Sequence, residues 1–198
     1  MGYNSTFYYP KSGGIGELAK RLSEGLGPDL KCGDAAQQID WKTKVVRTGS
    51  GEEYSYQRLI STMPLPQLIT ALTDTPEAIE KAANQLRSTS VTYWNIGFKG
   101  AADEDAAHWI YFPEKHIPFY RVGSPSAAVP NTAPAGCRSY YVETSHPTGT
   151  PCPSETEAIL EGLRAVGLAK TDDEPALIQQ FTIPCAYVIM DEAYGPNR

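Results

Sequence analysis

Two stretches of the chain combine residue types suited to chemistry. The first is Gly14-Ile15-Gly16-Glu17-Leu18-Ala19, a G-x-G-x-x-A string that opens an amphipathic run. Such a string can cradle a dinucleotide pyrophosphate when a buried strand delivers it to a helix N-terminus. The second gathers Trp109, Tyr111, Phe112, Phe119, Tyr120 and Arg121, five aromatics around one cation. Tyr140, Tyr141 and Tyr187 can join it across a sheet. Aromatic walls with a few polar groups suit a flat or ring-shaped ligand, and Arg121 suits a carboxylate or phosphate. The competing reading is ordinary sheet packing, because aromatics favour strands. Alternation puts Trp109 and Tyr111 on one face, leaving Ile110 and Phe112 for the core if that face is a cavity.

The glycine string reads as a tight turn feeding a helix, not as a Rossmann loop. Its lead-in, Tyr9-Pro10-Lys11-Ser12, is poor material for a central strand. Asp34 and Asp40 lie near the spacing of a ribose-binding acid, a weak signal. Cys32, Cys137, Cys152 and Cys185 have no metal-ligand spacing and read as four separate thiols. His108, His116 and His146 are unpaired in sequence. Glu114-Lys115-His116 reads as a solvated turn, His108 and His146 as loop-bordering residues without partners, and Cys185 as a buried thiol. The sequence nominates no catalytic triad, carboxylate pair or metal set.

These residues need elements to position them. Helical spacing of Ile15, Leu18, Ala19, Leu22 and Leu26 predicts a helix closed by Gly27-Pro28. Short strands follow at 34–40 and 44–48, with a turn at Ser50-Gly51. An apolar strand is expected at Leu59–Met63, stopped by Pro64 and Pro66. Two helices follow, Leu65–Leu72 and one from Pro76 to about Arg87. Thr89–Phe98 is expected as a long strand, and Trp109–Phe112, Phe119–Val122 and Ser139–Thr144 as three more. Ser154 is expected to cap a helix over 155–166 closed by Gly167. Ala176–Met190 reads as extended but interrupted at Pro184. The order predicts an α+β fold with a mixed, mostly antiparallel sheet and flanking helices.

Composition narrows the function. The 198 residues carry a net charge of −6 with a pI near 5.1 and no basic cluster, so nucleic acid is not an expected partner. No apolar run approaches the roughly 20 residues of a membrane span, and no signal-peptide core is present. The default compartment is the cytoplasm.

The order of three motifs, "PKSGGIGELAKRL", "LISTMPLPQLI" and "HWIYFPEKHIPFYRVG", resembles the middle of the FAD-dependent amine oxidase superfamily. That group includes amine oxidases, protoporphyrinogen oxidases, phytoene-desaturase-like enzymes and, more distantly, UDP-galactopyranose mutases. The third motif looks like its protoporphyrinogen-oxidase-like members. The resemblance implies FAD as cofactor. It also implies that residues 1–72 form an edge of the FAD-binding domain with linking helices, and 73–198 the substrate-binding domain. The family's opening dinucleotide fingerprint and closing flavin segment have no match here. The ends at Met1-Gly2 and Asn197-Arg198 therefore read as those of a cut chain, whose missing FAD-binding segments would be its partners.

Alignment to the family places Ala36 where a valine touches the adenine end of FAD; an ordinary strand residue is the alternative. It brings Thr62 and Met63 near the flavin. Tyr93 falls where many amine oxidases carry a lysine close to flavin N5. That departure counts against lysine-assisted amine oxidation and leaves porphyrinogen-, desaturase- or mutase-like chemistry. Tyr93, Trp109, Tyr111, Tyr120, Arg121 and Tyr187 become the expected substrate contacts, for a small aromatic or anionic molecule. The flavin supplies redox chemistry in such enzymes, so a missing triad is compatible with catalysis. Three readings stand: the substrate-binding portion of an FAD-dependent oxidoreductase, inactive by itself; a mutase-like flavoenzyme fragment; and a non-catalytic binding module.

Overall fold

The computed structural model describes residues 7–101 and 107–197. The chain ends at Met1-Gly2 and Arg198 lie outside them. The helices are α1 (Gly16–Ser23), α2 (Leu65–Ala71), α3 (Glu77–Gln85), α4 (Pro125–Ala128), α5 (Thr156–Ala165) and α6 (Tyr194–Asn197). The strands are β1 (Ala36–Asp40), β2 (Val45–Thr48), β3 (Glu53–Ser55), β4 (Arg87–Lys99), β5 (Trp109–Tyr111), β6 (Arg121–Gly123), β7 (Cys137–Pro147) and β8 (Pro175–Ile189). They form a three-stranded sheet, β1-β2-β3, and an open five-stranded sheet ordered β5-β6-β7-β4-β8. This is the α+β class expected, and the registered pairings are antiparallel.

The chain divides into two compact units, Met1–Leu22 with Thr89–Ala186, and Ser23–Ser88 with Tyr187–Arg198. The core of the first follows from the two-residue period of its long strands. Trp94, Ile96 and Phe98 of β4 and Val142 of β7 point to one face. There they meet Val122, Phe119 and the apolar stripe of α5, Ile159 and Leu163. Each fully buried aliphatic of this kind contributes about 1.5–3 kcal/mol relative to exposure. Trp94 Nε1 donates to Thr156 Oγ1 at 3.1 Å, so the buried indole N–H is satisfied. A Cβ on Gly162 of α5 would come within 2.8 Å of Phe119 and Pro118, so the helix approaches the loop before β6 as closely as it does only through glycine. Phe112 packs beside the core on Phe119 at 5.2 Å, as the alternation predicts, and half-buried Ile110 stands opposite buried Val122.

The second unit is a meander braced at its turns. Asp40 Oδ1 accepts from the backbone N–H groups of Lys42 (2.9 Å) and Thr43 (2.8 Å). Asp34 accepts from Ser50 N and Ser50 Oγ. Both aspartates, noted for their ribose-like spacing, are thus taken up by turns, and these bonds hold their carboxyls below the usual range. Buried Ile39 of β1 meets the end of α2, and its carbonyl accepts from Thr73 N at 2.9 Å.

Four expectations are corrected. Leu59–Met63 is not a strand: Ile60 is 91% exposed, and no described strand lies beside it to complete a ladder. β8 runs through Pro184 without interruption, as an edge strand can carry a proline, and the Pro184 carbonyl is held by Ser90 Oγ of β4 at 2.8 Å. Ser154 does not cap α5; its hydroxyl donates to the Pro118 carbonyl at 2.9 Å, and Glu155 takes the cap position without a side-chain bond. His146 is buried and partnered, Nε2 with Thr92 Oγ1 (3.2 Å) and Nδ1 with Thr150 Oγ1 (3.3 Å). The four cysteines are free thiols, as expected.

Arg138 and Asp173 join β7 to the loop before β8, and Asp173 also accepts from Lys170 N at 2.7 Å. That backbone bond first, and Arg138 second, lower the Asp173 pKa. A carboxyl with a depressed folded pKa stabilises fully above its unfolded value, 3.8, and loses that contribution as pH falls through the folded value. Asp173→Asn is therefore expected to lower Tm at neutral pH, with the gap to the parent closing as pH falls below 3.8 and through the folded value. Thermal melts across that range check it; a gap constant with pH would refute the linkage.

Candidate functional site

The face of the five-stranded sheet opposite the core carries the second residue cluster. Register decides its composition. Tyr93 stands opposite Glu143, and Asn95 opposite Tyr141. On the other side of β7, Arg121 stands opposite Glu143 and Gly123 opposite Tyr141. Tyr111 and Trp109 of β5 then pair with Arg121 and Gly123. All these side-chain positions share one face.

The result is a row of rings running across the sheet. Phe181 of β8 stacks on Tyr93 (centroids 5.4 Å), Tyr93 on Tyr141 (4.7 Å), and Tyr141 meets the edge of Trp109 (6.1 Å). Trp109 reaches inward because Gly123 has no side chain; a Cβ there would sit 2.5 Å from the indole. The Arg121 guanidinium lies 4.7 Å from the Trp109 centroid and 5.8 Å from that of Tyr111. Trp109 is 42% exposed and Tyr111 64%, so this end of the row is open to solvent.

Glu143 was not foreseen. Only 3% exposed, it holds Arg121 in a two-pronged ion pair, with Arg121 Nη2 to Oε1 at 2.7 Å and Nε to Oε2. Tyr120 O–H also donates to Oε2 at 2.9 Å. The glutamate raises the Arg121 pKa, so the guanidinium is permanently charged. Burial, and then the Glu143 charge, raise the Tyr141 pKa and keep it a neutral phenol. The signal in the sequence is one acid in a strand, two residues from Tyr141, which demands a cationic partner. Arg121 Nη1 points away from the glutamate, 3.4 Å from Tyr111 Oη. That nitrogen donates to the Tyr111 hydroxyl.

Of the expected substrate contacts, Tyr93, Trp109, Tyr111, Tyr120 and Arg121 fall in the first unit. Tyr93, Trp109, Tyr111 and Arg121 share this face, and Tyr120 joins through Glu143. Tyr187 belongs to the second unit, where it is exposed. His108, expected without a partner, lies between Phe7 (5.0 Å) and Trp109 (5.2 Å). Glu114, Lys115 and His116 form an exposed turn, as expected.

Of the expected cofactor contacts, Ala36 and Met63 line one shallow cleft in the second unit, about 330 Å³. Gln37, Pro66, Gln67, Thr70 and Ala71 complete its lining. Thr62 is exposed beside it in the irregular segment. This lining has small and amide-bearing side chains and no cation, which fits a heteroaromatic ring and not a pyrophosphate. At Gly14 no described strand feeds the glycine string, and residues 7–15 are irregular. Among the described residues no group of three or more His, Cys, Asp or Glu side chains is placed to hold a metal ion. Among them, too, no helix is long and apolar enough to cross a membrane.

Glu143→Ala would leave a half-buried guanidinium without its partner, and is expected to cost about 2–3 kcal/mol. Replacing both partners, Arg121→Met with Glu143→Met, should recover most of that loss. Urea unfolding of the single and double variants checks it; a loss under about 1 kcal/mol for the single change would show that the pair holds nothing in place.

Residues 1–169 match the sequence family described as flavin containing amine oxidoreductase. Among solved structures, the chain superposes on reduced UDP-galactopyranose mutase with a TM-score of 0.79 at 27% identity, covering 90% of this chain and 40% of that one. A putrescine oxidase double mutant redesigned in cofactor binding gives 0.62 at 13% identity, over 85% of this chain and 38% of that one. An oxidoreductase from Methanosarcina mazei gives 0.57 at 17%, over 77% and 38%. The chain thus spans about two fifths of the length of these solved relatives. At their lower identities the last two share the fold alone. By the span of the family match, this chain belongs to the flavin-containing amine oxidoreductase family.

Proposed function

We propose that this chain supplies the substrate-facing wall, and one edge of the cofactor site, of an FAD-dependent flavoenzyme. The carrying observation is the division of labour in the five-stranded sheet. One face packs the core, while the other presents Tyr93, Tyr141, Trp109, Tyr111 and Arg121 as a continuous ring-lined surface with an open end. Bound flavin would supply the redox or nucleophilic chemistry. The chain's own residues would bind, orient and exclude water.

In this reading Ala36, Thr62 and Met63 sit beside the ring systems of FAD, and the pyrophosphate is held by segments outside these 198 residues. The substrate is a small aromatic or anionic molecule. Because Glu143 neutralises Arg121, an anion gains little from net charge. It is recognised instead by the Nη1 edge, the Tyr111 hydroxyl and the Trp109 face. The division at residues 72 and 73 into a cofactor side and a substrate side belongs to this reading.

A second reading is a flavin-dependent mutase acting on a nucleotide sugar. The higher TM-score and identity to UDP-galactopyranose mutase favour it over the oxidase reading. The aromatic and arginine cluster would then hold the nucleotide sugar, with the diphosphate at Arg121. Tyr93 in the lysine position agrees with it.

Calorimetric titration with UDP-galactose, putrescine and a porphyrin separates the readings. Arg121→Lys keeps a cation against Glu143 but loses the forked edge, and should weaken an anionic ligand about 10-fold or more. Tight stoichiometric FAD uptake by the 198 residues alone, or anion binding indifferent to Arg121→Lys, would overturn the proposal.

A further inference from the structure

A cavity of about 440 Å³ adjoins the ring row on the same sheet, between β4, β7, β8 and the turn at 132–134, with Asn95 at the side nearer Tyr141. Ser139 is four residues along β7 from Glu143, or about 13 Å at the usual rise of a strand. The cavity has its own chemistry. Gly97, opposite Ser139, leaves part of its floor open; a Cβ there would meet only Leu177, at 3.5 Å. Leu177, Pro134 and Phe98 give it apolar walls.

Among the described residues four neutral polar side chains, Ser139, Asn95, Tyr140 and the exposed Gln179, line it without a hydrogen bond to protein. The Ser139 hydroxyl is buried and makes no hydrogen bond. Among the described residues the side-chain amides of Asn95 and Gln179 make none either. The one cation in the lining, Arg138, is occupied by Asp173 and by the Lys99 carbonyl. A buried unpaired hydroxyl costs about 1–3 kcal/mol, a cost a ligand can relieve. One rotation about χ1 redirects a serine oxygen toward such a ligand.

We propose that this cavity binds an uncharged aromatic or heteroaromatic ring with an amide-like edge. Carboxamides present a donor and an acceptor side by side, and so does a lactam edge. A charged group is disfavoured, because no free counter-charge lines the cavity. A sugar is disfavoured, because the apolar walls of Leu177 and Pro134 would leave most of its hydroxyls without partners. The inference is independent of the Arg121 reading. A neutral probe carries nothing for Arg121 to hold, so failure there and failure here read out separately.

Ligand-observed NMR on the 198-residue chain, with quinolin-2(1H)-one as probe, tests it. Methyl β-glucoside and quinoline-2-carboxylate serve as controls. Saturable binding of the lactam is expected, about 10-fold or more tighter than either control. Gly97→Val fills the floor and should abolish binding. Asn95→Leu and Ser139→Ala should each weaken it several-fold, and Ser139→Ala should leave the fold intact because its hydroxyl has no partner to lose. Binding unchanged by Asn95→Leu and Ser139→Ala, equal binding of either control, or no lactam binding would each overturn the proposal.

Discussion

The pairing of β4 with β7 is the constraint on which the first unit depends. Eleven residue pairs, from Thr89 with Pro147 to Lys99 with Cys137, run without a bulge. Because side chains alternate, this register assigns every residue of both strands to the core or to the opposite face. A slip of β4 by one residue would bring Tyr93 and Asn95 against α5 and push Trp94 and Ile96 outward, away from Val142. The buried cluster around Trp94 penalises that slip, and so the packing of one face fixes the chemistry of the other.

Glu143 shows how a site can be polar without being strongly charged. It is almost wholly buried and satisfied by Arg121 and Tyr120. Such a pair adds little net stability, since desolvation offsets most of its attraction. What it gives is geometry. The guanidinium plane is fixed against Trp109, with one edge left toward Tyr111. Gly123 is part of the same arrangement, since any side chain there would displace the indole from its place over β6.

Much of this was legible in sequence, for physical reasons that differ by element. Thr89–Phe98 announces a strand because β-branched and aromatic residues crowd it, and α5 announces itself by its apolar stripe and the closing Gly167. Both signals are local. Leu59–Met63 has equally strong local character and no neighbour, which composition cannot reveal. Pro184 misleads in the opposite sense, because whether a proline breaks a strand depends on whether that strand is central or at an edge. The partners Pro118 of Ser154 and Thr92 of His146 lie 36 and 54 residues away, and the nearer His146 partner, Thr150, is reached only through the turn after β7. In the ring cluster, residue types were readable and partners were not: Glu143 enters only when β7 is laid beside β6.

The edge position of β8 affects how the protein behaves in concentrated solution. Leu177, Phe181 and Ile183 are exposed along a strand with one flank unpaired, an arrangement prone to recruiting further strands. Pro175 and Pro184 withhold two amide donors from any newcomer. The Pro184 carbonyl is already taken by the hydroxyls of Ser90 (2.8 Å) and Thr148 (3.1 Å). A proline that would break a central strand is tolerated at this edge, where it shortens the ladder any added strand could build.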